Sequence, residues 1–161
     1  MAQGTRSQRK RLKAYRGRKK IMSEAASLML LAMVALIIWF LAVTWWLGIR
    51  RTLATKSSEV SIKYYQVYQG NGESGHLAQH TRHHINLLEL PLVFYVMVVT
   101  IVATNMADMT FAYLAWGFVA ARFVHSFIHL SYNNIVHRFA AYATGLALLS
   151  VIAVRYFLIL L

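Results

Sequence analysis

The chain has 161 residues, 58% of them hydrophobic, a formal net charge of +12 and no cysteine. An apolar share well above the roughly 45–50% of soluble domains argues against a water-soluble globule and for a single membrane-embedded unit. The missing thiols exclude disulfide staples, thiolate metal ligands and a cysteine nucleophile, so any thiol chemistry needs a thiol carried in by a ligand.

The basic residues open the chain. Nine of the 17 Lys and Arg fall between Arg6 and Lys20. Such a run beside a membrane helix sets orientation or touches anionic lipid. Tyr15 is its lone aromatic, and no nucleic-acid fold follows, so no nucleic-acid partner is predicted. The run is Arg-rich and acid-poor, as targeting peptides are, but it lacks an apolar face and reads as a retained tail. The predicted organisation is a basic tail at 1–23 and a four-helix domain at 24–161.

Ala25 to Ile49 holds 25 residues without a charge, more than the roughly 20 that cross a bilayer as a helix. Trp45 and Trp46 then Arg50 and Arg51 mark an interface. Thr52 to Gln79 is polar, carries Gly70-Asn71-Gly72, and reads as the one long loop. Three further apolar runs follow, separated by turns at Asn105–Thr110, where Asp108 or Thr110 can cap a helix, and at Ser131–Asn134. The spans are predicted near 24–50, 82–105, 110–131 and 136–160. This is an all-α fold, an integral membrane four-helix bundle. Pro91, the single proline, either starts the second helix or kinks it. The Lys and Arg count on the two sides favours a cytoplasmic N-terminus, in a bacterial inner membrane.

Polar residues inside these spans carry the functional signal, because lipid cannot solvate them. Arg82, Asn86 and Glu89 are spaced i, i+4, i+7; Arg122, His125 and His129 are spaced i, i+3, i+7; Arg138, Tyr142 and Gly145 repeat the stripe. Counting crossings puts all three stripes in the same half of the membrane. A Glu89–Arg122 contact would fix register between two helices. It would leave a surplus of cations and donors suited to an anionic, amphipathic small ligand. A ligand site and a purely structural network both fit this pattern.

All seven histidines follow residue 75. His80, His83 and His84, and the i, i+4 pairs His76/His80 and His125/His129, have spacings that metal sites use. A metal- or haem-binding membrane oxidoreductase is the weaker reading. Di-iron membrane enzymes carry more histidines, only Glu89 could complete a set, and Arg82 would repel a cation. The histidines are therefore read as interfacial or satisfied, with no metal assigned.

Asn86-Leu87-Leu88-Glu89-Leu90-Pro91-Leu92-Val93-Phe94-Tyr95, the run Ala115 to Ser126 and the segment Asn133 to Arg138 resemble the MAPEG superfamily, membrane-associated proteins in eicosanoid and glutathione metabolism. The resemblance runs from about Ile21 to the C-terminus. It implies a homotrimer, with glutathione held between neighbouring subunits and an apolar substrate delivered from the bilayer. Carried over by position, Arg138 becomes the catalytic residue beside the glutathione sulfur. Asn86, Glu89, Arg122 and His125 match the family's glutathione-site residues on the second and third helices, and Tyr142 one that packs on glutathione; Arg82 would help hold its carboxylates. The resemblance also implies a cytoplasmic long loop, opposite to the charge count. Phe139 stands where prostaglandin synthase relatives have Ser, His129 where they have Tyr, and Ile85 where they have Arg, so the eicosanoid reaction is not carried over. The implied activity is a glutathione-dependent transferase or peroxidase; the alternative is a non-catalytic subunit of a larger membrane complex.

Overall fold

The computed structural model describes residues 22–70 and 72–161. The basic tail, and with it the lipid-contact reading, lies outside the described residues. Helices run over α1 (Glu24–Lys56), the short α2 (Tyr64–Val67), α3 (Gly75–Asn86), α4 (Leu90–Ala103), α5 (Met109–Leu130) and α6 (Ile135–Leu160), with no strand among the described residues. Four segments are long and apolar enough to cross a membrane, with α3 and α4 together making the second. The protein is an integral membrane four-helix bundle.

Each start has a local cause. Ser23 Oγ accepts from the Ala26 amide at 3.1 Å and caps α1. Asp108 Oδ1 accepts from the Phe111 amide at 2.9 Å and caps α5. Asn134 Oδ1 accepts from the Val136 and His137 amides and caps α6. Along α1 the buried residues are Ala25, Ala26, Met29, Ala32, Leu36, Val43, Leu47 and Ala54. Their recurring three-, four- and seven-residue spacing is the seam of a helix packed lengthwise against neighbours, and its alanines let those neighbours approach closely. Leu31, Ile38, Leu41 and Trp45 point away from this seam and are exposed, as lipid-facing side chains are.

Helix α5 is the hub. It packs against α1, α3 and α6, while α4 packs against α1 and α6. In one half of the bundle the core is apolar: Met29, Leu36, Phe94, Phe111, Phe118 and Ile152 are fully buried, and Phe94 stacks on Phe118 with ring centroids 4.5 Å apart. In the other half α5 buries Arg122, His125, Ser126 and His129. Trp39 Nε1 donates to Ser126 Oγ at 3.1 Å, tying α1 to this polar half.

Two expectations on boundaries are corrected. Helix α1 continues to Lys56, and α3 begins at Gly75 rather than near 82. Leaving the hydrocarbon does not end a helix; a missing acceptor or a competing cap does. The loop between them is folded. Glu73, with its side chain 4% exposed, pairs with Arg51 at 2.7 Å and accepts from Tyr65 Oη at 3.1 Å and from Thr81 Oγ1. Val60, Leu77, Leu47 and Ala54 pack beneath it. Burial, then the Glu73 carboxylate, pushes the Tyr65 phenol up to about 12.

Candidate functional site

The site begins with Pro91. Proline has no N–H to offer the Leu87 carbonyl, and its ring crowds that carbonyl, so the second span breaks at Leu87–Glu89 between α3 and α4. Pro91 therefore does both things foreseen for it: it interrupts the span, and it sits in the first turn of the helix that follows. In a continuous helix the Asn86 carbonyl would accept from the Leu90 amide. Here it accepts from Arg122 Nη2 at 3.0 Å.

Arg122 is fully buried. Its guanidinium carbon lies 5.8 Å from the centroid of the Tyr142 ring, a cation–π contact. Its Nε and Nη1 have no hydrogen-bond partner, and no carboxylate among the described residues pairs with it. A buried guanidinium with free donors and no anion is an incomplete arrangement.

Beside it, Asn86, His125, Ile135, Arg138, Phe139 and Tyr142 line a cleft of about 180 Å³. Three helices contribute. His125 is held from the far side, with Nδ1 3.1 Å from the Arg138 carbonyl oxygen. Arg138 Nη1 donates to Asn133 Oδ1 at 2.7 Å, which fixes the guanidinium at the start of α6. Asn133 adopts a left-handed conformation with φ 49°, tolerated by Asn, in the turn that makes this reach possible.

Of the seven residues singled out in the sequence, Asn86, His125, Arg138 and Tyr142 share the cleft, and Arg122 adjoins it through Asn86 and Tyr142. Arg82 and Glu89 stand apart, both on the exposed surface. Of the expected Glu89–Arg122 contact, direct or through water, the direct ion pair is not formed among the described residues, although Glu89 stays near enough to act on Arg122 through its charge. The break at Leu87–Glu89 is the reason: it turns Glu89 away from the face that α3 gives to α5. The buried face of α3 instead carries Gln79, His83 and Asn86, also at i, i+4, i+7. That competing stripe was readable in the sequence, and only the position of the helix break selects it.

The histidines also depart from expectation. His83, His125 and His129 are 0%, 3% and 1% exposed, and each has at least one ring nitrogen without a partner. They are buried and are not fully satisfied among the described residues. Gln79 Nε2 donates to the His129 carbonyl and docks α3 onto the end of α5. Outside the trio, His84 meets Thr44 Oγ1 at 3.1 Å.

No curated protein and no solved structure matches the chain. The model of the MAPEG family matches residues 29–158. That interval takes in the second and third spans, most of the first and fourth, the helix break and every residue of the cleft. The chain belongs to the MAPEG family.

Proposed function

We propose that the protein is a glutathione-dependent transferase or peroxidase acting on an apolar substrate from the bilayer. The observation that carries this reading is the buried Arg122, whose Nε and Nη1 bond no carboxylate among the described residues, beside a cleft lined by Arg138, His125, Asn86 and Tyr142. A donor-rich, cationic set of this kind fits an anionic ligand bearing carboxylates and amides. Bound glutathione supplies the thiol this chain lacks, for addition to an electrophilic carbon or for reducing a hydroperoxide to alcohol and water as two thiols join in a disulfide.

The chain's own residues have separate tasks. Arg138 is the catalytic residue: its cationic end favours the thiolate over the thiol. Its bond to Asn133 orients it without neutralising it, since an amide oxygen carries no net charge. Arg122 faces the ligand's acidic and amide groups, the His125 ring forms part of the cleft wall, and Tyr142 packs against the ligand. Arg82 and Glu89, exposed in one protomer, serve a ligand only across a subunit boundary. The cleft is smaller than the roughly 300 Å³ at which ligand pockets begin. Ile135 and Phe139 at its mouth are 71% and 68% exposed. Both features support a homotrimer in which the neighbouring subunit supplies the other wall.

Glutathione titrated into the purified protein tests the reading through thiolate absorbance. Saturable binding is expected, with the thiolate signal lost in Arg138→Ala, and native mass spectrometry should give three chain masses. A folded trimer that binds nothing at millimolar glutathione favours a non-catalytic packing role. A one-to-one complex with an unrelated chain defeats the trimer.

A further inference from the structure

Three imidazoles meet where α3 crosses α5. The His83 and His129 ring centroids are 5.2 Å apart, those of His125 and His129 5.6 Å, and those of His83 and His125 6.3 Å. One nitrogen from each ring lies within 4.8 Å of the other two. The unpartnered atoms are both nitrogens of His83, Nε2 of His125 and Nδ1 of His129. Buried polar atoms nearly always find a partner, so three rings that each bring a nitrogen to one place, among four unpartnered atoms, call for a missing one.

The tautomer of His125 follows from its neighbour. A carbonyl oxygen only accepts, so the Nδ1 that faces the Arg138 carbonyl carries the proton, and Nε2 points a lone pair into the cluster. A carbonyl fixing the far nitrogen of a ligating imidazole is the usual outer support of a metal site. Three lone pairs cannot satisfy one another. A cation with affinity for imidazole takes one lone pair from each ring and leaves the second nitrogen of His83 as its N–H.

We propose that His83, His125 and His129 form a binding site for one late first-row transition-metal ion. Arg82, which looked like an obstacle in the sequence, is exposed while its neighbour His83 is fully buried, so the two point apart on α3. The shortage of histidines argues against a di-iron centre, not against a single ion with three nitrogen ligands. Ligand nitrogens around such an ion stand roughly 3.3 Å apart, given bonds of about 2.0–2.1 Å. Rotation of the rings by about an ångström therefore closes the site. The nearby fixed charges, Arg122, Arg138 and, more remotely, Arg82, are positive, and three neutral imidazoles add no negative charge. Desolvation cost rises with the square of ionic charge, so monovalent copper suits the surroundings better than divalent zinc.

This inference does not rest on glutathione binding, and its test needs no activity. Full-length protein in detergent is freed of metal and loaded anaerobically with cuprous ion or with zinc, each held by a chelator of known affinity. His76→Gln/His80→Gln serves as the background, which removes the other closely spaced pair. One metal per protomer is expected, with copper held more tightly than zinc. Loss of at least tenfold in affinity is expected in His83→Gln and in His129→Gln, and no loss in His84→Gln. X-ray absorption of the copper-loaded wild type should show three nitrogen donors, a readout that survives if a variant misfolds. Less than 0.2 metal per folded protomer for both ions, affinity unchanged in the trio variants, or sulfur donors from methionine would overturn the site.

Discussion

Arg122 holds its charge in the bundle with one backbone acceptor, one aromatic face and no acid among the described residues. Replacing an uncompensated buried charge by an apolar side chain of similar volume is often neutral or stabilising. Truncating it opens a cavity instead, for about 2–5 kcal/mol. Arg122→Met should therefore melt within a few degrees of the wild type while losing glutathione binding, and Arg122→Ala should lose both. Equal melting of the two variants, measured in the same detergent, would count against this account of the site. Asp108 is the opposite kind of residue, exposed enough to be weak. It caps α5 and meets Arg155 at 2.6 Å, with side chains 45% and 32% exposed. The Arg155 hydrogen bonds, then the Phe111 amide, hold its carboxyl below the usual value. A depressed carboxyl contributes stability above its unfolded pKa of about 3.9 and loses it as pH falls through the folded value. Asn keeps the cap and removes the charge, so Asp108→Asn should cost at most about 1 kcal/mol at neutral pH. The wild-type advantage should vanish in melting curves taken progressively below about pH 4.

At the scale of the element, the second span shows what sequence periodicity can and cannot deliver. Span number and type, and the Asp108 cap, were legible because long uncharged runs, Trp belts and Asp before an apolar run each have a local cause. Arg122, His125, Arg138 and Tyr142 lie on unbroken helices, and there the 3.6-residue spacing placed them correctly relative to one another. Glu89 failed because a stripe is continuous only while the helix is, and Pro91 allowed two outcomes whose difference depends on packing against α5. The same break hid the role of His83, since two stripes, Arg82–Asn86–Glu89 and Gln79–His83–Asn86, share Asn86 and differ only in which face turns inward. The break then has a use: it frees the Asn86 carbonyl for Arg122. Pro91→Ala supplies the amide that Leu87 lacks. It should raise or preserve the melting temperature, because the first-turn proline is tolerated where it stands and the substitution adds a donor for the Leu87 carbonyl, a bond that contributes about 0.5–1.5 kcal/mol. Arg122 would then compete with the Leu90 amide for its acceptor, so the affinity for glutathione should fall. Unchanged affinity together with higher stability would show that the break does not serve the site.

Across the whole molecule, one half of the bundle is closed by apolar packing and the other by a few polar ties. Beyond the second half, Glu73 binds the end of α1 to the start of α3 through Arg51 and Thr81, with Tyr65 completing the set. Arg51 also lies over the Tyr65 ring, 5.3 Å from its centroid, so the group is one network rather than separate pairs. This is the strongest link between α1 and the loop that leads into α3, and α3 carries Gln79, His83 and Asn86 into the cleft and the histidine cluster. Glu73→Gln keeps the shape and removes the charge, leaving Arg51 without its anion; a charge-assisted bond of this kind contributes about 1.5–3 kcal/mol. The local readout is the Tyr65 phenol, pushed up to about 12 by burial and then by Glu73. Because folding raises this value, the folded state holds the proton more tightly than the unfolded chain. Stability should therefore be full below about pH 10, the unfolded value, and fall as pH rises towards the folded one. Removing the Glu73 charge should move the Tyr65 titration down, with the Arg51 cation then unopposed. Tyrosinate absorbance, taken as the difference between each protein and its Tyr65→Phe counterpart, isolates this one phenol. A midpoint that does not move between wild type and Glu73→Gln would mean that the carboxylate does not hold Tyr65. The fixed position of α3 over α5 would then need another source.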